Sequence, residues 1–141
     1  EDWRADSAFT ALHLSYLKRR YRQARYSVSL PRLRPAVGGY NPACPIDDKG
    51  MLQLILAFRL LDQHLEISLS TRESEAFRNN VLTLGITSMS AGSHTEPGGY
   101  AEEHEELEQF TINDSRSPEA FAQYLRSVGY EPVWKDWDGW L

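Results

Sequence analysis

A single cysteine, Cys44, leaves no partner for an internal disulfide and too few thiolates for a multi-cysteine metal site. No apolar run is long enough to cross a bilayer, and the opening EDWRADSAFTALHL lacks a signal-peptide pattern. Excess positive charge is missing too. The net charge of −5 argues against nucleic acid or an anionic membrane as the main partner. No G-x-S-x-G elbow marks a hydrolase, and PAVGG and EPGGY lack the strand-to-helix setting of a nucleotide-binding loop. Neither an internal repeat nor a low-complexity segment occurs. The cysteine content points to a reducing, cytoplasmic setting.

What is present is ordinary for one soluble domain: 141 residues, 41% hydrophobic and 25% charged. Charge is unevenly spread. Lys18, Arg19, Arg20, Arg22, Arg25, Arg32 and Arg34 crowd one region, whereas AEEHEELEQF is acidic. The basic group reads as a solvated helix end, where cations oppose the helix dipole, rather than as a polyanion patch. His94, Glu96, His104 and Glu105 match no metal-ligand spacing and read as solvated loop residues.

The pattern predicts a helix over residues 5–23, with Phe9, Leu12 and Tyr16 on one stripe and Leu14, Leu17 and Tyr21 beside it. RYSVSL follows as a strand ended by Pro31, then a loop with four prolines and two glycines, PRLRPAVGGYNPACP. Asp47 caps a second helix that carries Met51, Leu54, Ile55, Phe58 and Leu61. In LEISLSTRES a second strand leads to a capping box, Ser70 to Glu73, and to a third helix through Phe77 and Val81 that Gly85 stops. ITSMSAGS is a third strand. Ser117, Pro118 and Gly129 punctuate a last helix, and a tail with Trp134, Trp137 and Trp140 closes the chain. Alternating helices and strands predict a parallel α/β sheet.

The strands are not the continuous apolar runs of a doubly buried sheet. Ser27 and Ser29, then Glu66, Ser68 and Ser70, then Ser88 and Ser90 make polar rows. The residues leave two homes open for these rows: solvent beside a two-layer sheet, or the lumen of a β/α barrel that holds a polar ligand. In either case ligands belong at the carboxyl ends of the strands. Arg72 lies there, in the parity of Ser68 and Ser70 and beside a helix start. Its guanidinium suits a carboxylate or phosphate, the competing role being an ion pair with Glu73 or Glu75.

RYSVSLPRLRPAVGG, AFRLLDQHLEISLSTRES, TEPGGYAEEHEELEQF and PVWKDWD together resemble the 2-iminoacetate synthase family, the tyrosine lyases of thiamine synthesis, over Trp3 to Trp137. The resemblance implies radical S-adenosylmethionine chemistry with a [4Fe-4S] cluster. That chemistry cleaves the tyrosine Cα–Cβ bond to 2-iminoacetate and p-cresol for the thiamine thiazole. The family's Cys-x₃-Cys-x₂-Cys cluster loop is absent from this sequence. The implied fold is therefore the C-terminal three β/α units of a (β/α)₈ TIM-type barrel. Residues 1–116 would supply those units, and 117–141 the C-terminal helix and tail of the same domain.

The same resemblance implies site residues. Arg72 would grip the tyrosine carboxylate, with Ser90, or Ser88 in its place, on the amino acid. Leu30, Pro31 and Arg32 would lie near S-adenosylmethionine, and no residue here would hold the metal. Implied partners are tyrosine and the thiazole synthase machinery, with self-association of the segment and inactivity in isolation. A related radical lyase acts on tryptophan. The absence of a cysteine in DWDGWL disfavours the hydrogenase-maturation tyrosine lyases, which carry a second cluster. Two other classes stand beside this one: a self-contained α/β module for a small carboxylate or phosphate, and an interaction domain using the aromatic tail and acidic helix.

Overall fold

The computed structural model describes residues 2–32, 43–94 and 112–134. Helix α1 spans Trp3–Arg20, β1 Ser27–Ser29, α2 Asp48–Leu61, β2 Glu66–Leu69, α3 Glu75–Val81, β3 Ser88–Met89 and α4 Pro118–Ser127. The three strands form one parallel sheet in the order β1-β2-β3, so their carboxyl ends share one side. Ser29 pairs with Ser68, and Ser68 with Ser88, which aligns the polar rows across the sheet.

The opposite row builds the core. Leu14 of α1, Val28 of β1, Phe58 of α2, and Leu65 and Ile67 bordering and within β2 form one buried cluster. Met51 and Ile55 of α2, Leu69 of β2, and Phe77 and Val81 of α3 form a second. Leu30 and Ile86 touch both. Apolar burial of this kind contributes about 25 cal/mol for each Å² removed from water, and it fixes the register because a one-residue slip would exchange the two rows. Ser27 and Ser29 are exposed and Ser68, Ser88 and Ser90 half-buried.

Local signals set most helix ends. Asp47 accepts the Gly50 N–H at 2.7 Å, and Ser117 accepts the Ala120 N–H at 3.2 Å ahead of Pro118. Gly129, at φ +88°, closes α4: its N–H bonds Arg126 O, and the Tyr130 N–H bonds Leu125 O. One expectation needs correction, and one left open is decided. The cap of α3 is Ser74, which accepts the Phe77 N–H at 3.2 Å, and not Ser70 paired with Glu73. On α1 it is Leu14 that is buried, while Phe9 is 72% and Leu12 66% exposed, so the Phe9–Leu12–Tyr16 stripe faces outward. Arg34, EPGGY, Glu96, His104, Glu105, Trp137 and Trp140 lie outside the described residues.

Candidate functional site

The carboxyl ends of the three strands carry the residues of interest. At the end of β1, Leu30 is half-buried against both core clusters, Pro31 is exposed and Arg32 is buried. With Trp3, Thr10, Cys44 and Phe58 they line a cavity of about 290 Å³ between α1 and α2.

Arg32 is 5% exposed, and its guanidinium is already engaged. Nε donates to both Glu73 oxygens at 3.0 and 2.9 Å, Nη2 bonds Glu73 as well, and Nη1 donates to Asp48 at 2.6 Å. The Phe77 ring lies 4.8 Å beneath it. Burial pulls this guanidinium down from its ordinary pKa, but the hydrogen bonds and charges of Glu73 and Asp48 outweigh that and leave it raised. A charge held this way has little left to offer a ligand, so Arg32 ties β1 to α2 and to the β2–α3 turn.

At the end of β2, Arg72 is half-buried. Both of its main-chain polar groups are bound by side chains: its N–H donates to Ser70 Oγ at 3.3 Å, and its carbonyl accepts from Asn113 Nδ2 at 2.6 Å. Glu75 lies 3.5 Å from Arg116, and Glu73 bonds Arg32.

Ser90 continues the ladder, its N–H donating to Leu69 O at 3.1 Å. Its hydroxyl oxygen accepts the Thr71 N–H at 3.2 Å, which ties the end of β3 to the residue before Arg72. Ser88 sits further back, and its hydroxyl donates to Glu66 Oε1 at 3.2 Å. The fold therefore brings Arg72 and Ser90 to adjacent strand ends, with Ser88 within the sheet and Leu30–Arg32 one strand over.

Beneath Ser90 lies a buried ionic group that sequence reasoning missed. Arg78 and Asp114, 1% and 2% exposed, pair directly, and Arg78 Nη2 donates to the Ser90 carbonyl. Arg116 donates from Nε and Nη2 to the same carboxylate at 2.8 and 2.6 Å. Phe121 of α4 stacks under both guanidinium groups, at 4.7 and 4.8 Å. Burial pushes the Asp114 carboxyl up, yet the Arg116 hydrogen bonds and the charges of both arginines hold it below the usual carboxylate range. Burial pushes the Arg78 guanidinium down, and Asp114 recovers only part of that.

Gly92 makes the close approach of α4 possible. It sits at φ +60°, and a Cβ there would meet Pro118 Cδ at 2.7 Å. The signal for this region was faint: NDSRS is merely a polar stretch before a helix cap.

Residues 29–131 match the family described as the Biotin and Thiamin Synthesis associated domain. The 2-iminoacetate synthase of Salmonella typhimurium is 53% identical over 141 residues, all of this chain and 37% of the relative. That of Escherichia coli is 54% identical over the same share of each. The chain thus spans little more than a third of the length of these relatives. Among solved structures, HydG, a maturase of the [FeFe]-hydrogenase, superposes with a TM-score of 0.83 at 32% identity, covering 96% of this chain and 30% of that one. The HydG of Carboxydothermus hydrogenoformans gives 0.73 at 31% identity over 86% and 28%.

Proposed function

The chain belongs to the Biotin and Thiamin Synthesis associated domain family, and from that membership we propose that it is the C-terminal part of a radical S-adenosylmethionine tyrosine lyase. The reaction is cleavage of the tyrosine Cα–Cβ bond to 2-iminoacetate and p-cresol, in the cytoplasm, in concert with the thiazole synthase machinery of thiamine synthesis. In this reading the three strands are the last of an eight-stranded β/α barrel whose lumen receives the serine rows. The observation that carries it is the meeting of Arg72 and Ser90 at adjacent strand ends, joined by the Thr71 N–H on Ser90 Oγ, in a chain 53–54% identical throughout to 2-iminoacetate synthases.

The residues present do not fit the [4Fe-4S] cluster. Cys44 is exposed and the chain's only cysteine, and among the described residues no three metal-ligating side chains converge. Cluster and S-adenosylmethionine chemistry belongs to the rest of a longer protein, and the segment alone is inactive. What this chain supplies is grip and orientation. The Arg72 guanidinium takes the amino-acid carboxylate with two parallel N–H donors. The Ser90 hydroxyl, with one lone pair on Thr71, keeps its proton and its other lone pair for the amino acid. Ser88 has its proton on Glu66 and is the weaker candidate. Leu30 and Pro31 face the adenosyl side with apolar atoms and main chain. Arg32 contributes there only as the residue that fixes that chain end.

The test is a chimera in which this chain replaces the matching segment of the Escherichia coli 2-iminoacetate synthase. The chimera cleaves tyrosine. Arg72→Ala lowers kcat/KM for tyrosine by about a hundredfold or more, the effect of removing one partner of a desolvated charge pair, while uncoupled S-adenosylmethionine cleavage stays measurable. Unchanged tyrosine turnover would refute the assignment of Arg72, and a preference for tryptophan would refute that of the substrate.

A further inference from the structure

The next question is what holds Arg72, rather than what it holds, and the answer rests on the lyase reading above. Among the described residues the ladder ends with the Ser90 N–H on the Leu69 carbonyl, so no ladder bond reaches the backbone of Arg72. Side chains do so instead. Ser70 Oγ accepts its N–H and Asn113 Nδ2 donates to its carbonyl. One residue earlier, the Thr71 carbonyl accepts the N–H groups of both Asn113 and Asp114, at 3.0 and 3.1 Å. Two consecutive carbonyls are thus bound by one two-residue step, which fixes the peptide planes on either side of Arg72 and the direction of its Cα–Cβ bond.

We propose that Asn113 is a positioning residue for the amino-acid substrate: its side-chain amide orients Arg72 through the Arg72 carbonyl. Asn113 is exposed, so its bond competes with water and adds little to stability. Its consequence is geometric. A guanidinium fork accepts a carboxylate well only when coplanar with it, and a small rotation of the backbone swings a long side chain far at its tip. Because the grip on the carboxylate exists before and during reaction alike, loosening it weakens binding more than turnover.

In the chimera, Asn113→Asp removes the donor at constant shape, and Asn113→Ala removes it without adding charge. Each raises KM for tyrosine by about tenfold with kcat changed less than about twofold, the mark of lost uniform binding. In an Arg72→Lys background, where the fork is already gone, the same substitutions shift KM by less than about twofold, since residues acting through one another are not additive. An unchanged KM, or an equal penalty in both backgrounds, overturns the inference. So does a fall in kcat that tracks a fall in thermal midpoint, because that is what a structural role gives. A chimera that cleaves tyrosine regardless of Arg72→Ala overturns the lyase reading of Arg72, and this inference with it.

Discussion

Two neighbouring strand ends each carry an arginine, and the bonds the structure describes hold them by different atoms. After β1, the motif L-P-R buries its guanidinium on Glu73, with Asp48 and Phe77 around it. After β2, S-T-R leaves Arg72 half-buried and has its main chain held by Ser70 and Asn113. A buried charge must be saturated to be tolerated, and saturation removes its capacity to bind anything else. A ligand-gripping charge, the role proposed for Arg72, would need the reverse: anchors on its backbone and access at its tip.

The contrast breaks most visibly on truncation. Arg32→Ala removes the guanidinium bonded to the Glu73 carboxylate, 1% exposed, and costs about 3–5 kcal/mol in chemical denaturation, as removal of one member of a buried ion pair does. Arg72→Ala in the same 141-residue chain changes stability by less than about 1 kcal/mol. Equal losses would erase the distinction and return Arg72 to a structural role.

Asp114 supports the ends of β2 and β3, through the Thr71 carbonyl on one side and through Arg78 on Ser90 on the other. Its folded-state pKa is lowered, which fixes the sign of its pH dependence. Its contribution is complete above the unfolded value near pH 4 and is lost as pH falls through the lower folded value. Asp114→Asn costs about 2 kcal/mol at neutral pH, a charged hydrogen bond's worth. The gap between variant and parent closes only below about pH 4. A gap that instead closes on raising the pH from neutrality would contradict the Arg78–Asp114–Arg116 assignment.

What the sequence made legible follows from range. The alternation Leu65, Ile67, Leu69 placed β2 and its buried row, and Asp47, Ser117, Pro118 and Gly129 marked helix ends, because each signal acts within a few residues. The placement of Arg72 and Ser90 at adjacent strand ends was reachable from the strand pattern. Partners 36 or 41 residues apart were not: Arg78 with Asp114, Arg32 with Glu73, Asn113 with Arg72. No period announces such pairs, and a buried arginine looks like an exposed one in sequence. Which stripe of α1 is buried stayed open for a related reason. Two apolar stripes were present, and only the neighbouring elements decide which of them is covered.

The turn STRES makes the smallest test and the finest one. It offers two serines to cap α3 and one glutamate to close a capping box, so sequence alone favours Ser70 with Glu73. Glu73 is drawn away by Arg32, and a lone Ser74 takes the cap. Ser74→Ala then costs about 1 kcal/mol, the usual loss of a serine cap. Ser70→Ala, which gives up one long hydrogen bond to Arg72 N–H, costs about 0.5 kcal/mol or less. Denaturant midpoints of the two variants read the difference directly. Were Ser70 the costlier loss, the helix would begin four residues earlier than it does. Glu73 would then face back along the turn, and the buried pair that separates Arg32 from Arg72 would have no carboxylate to form it.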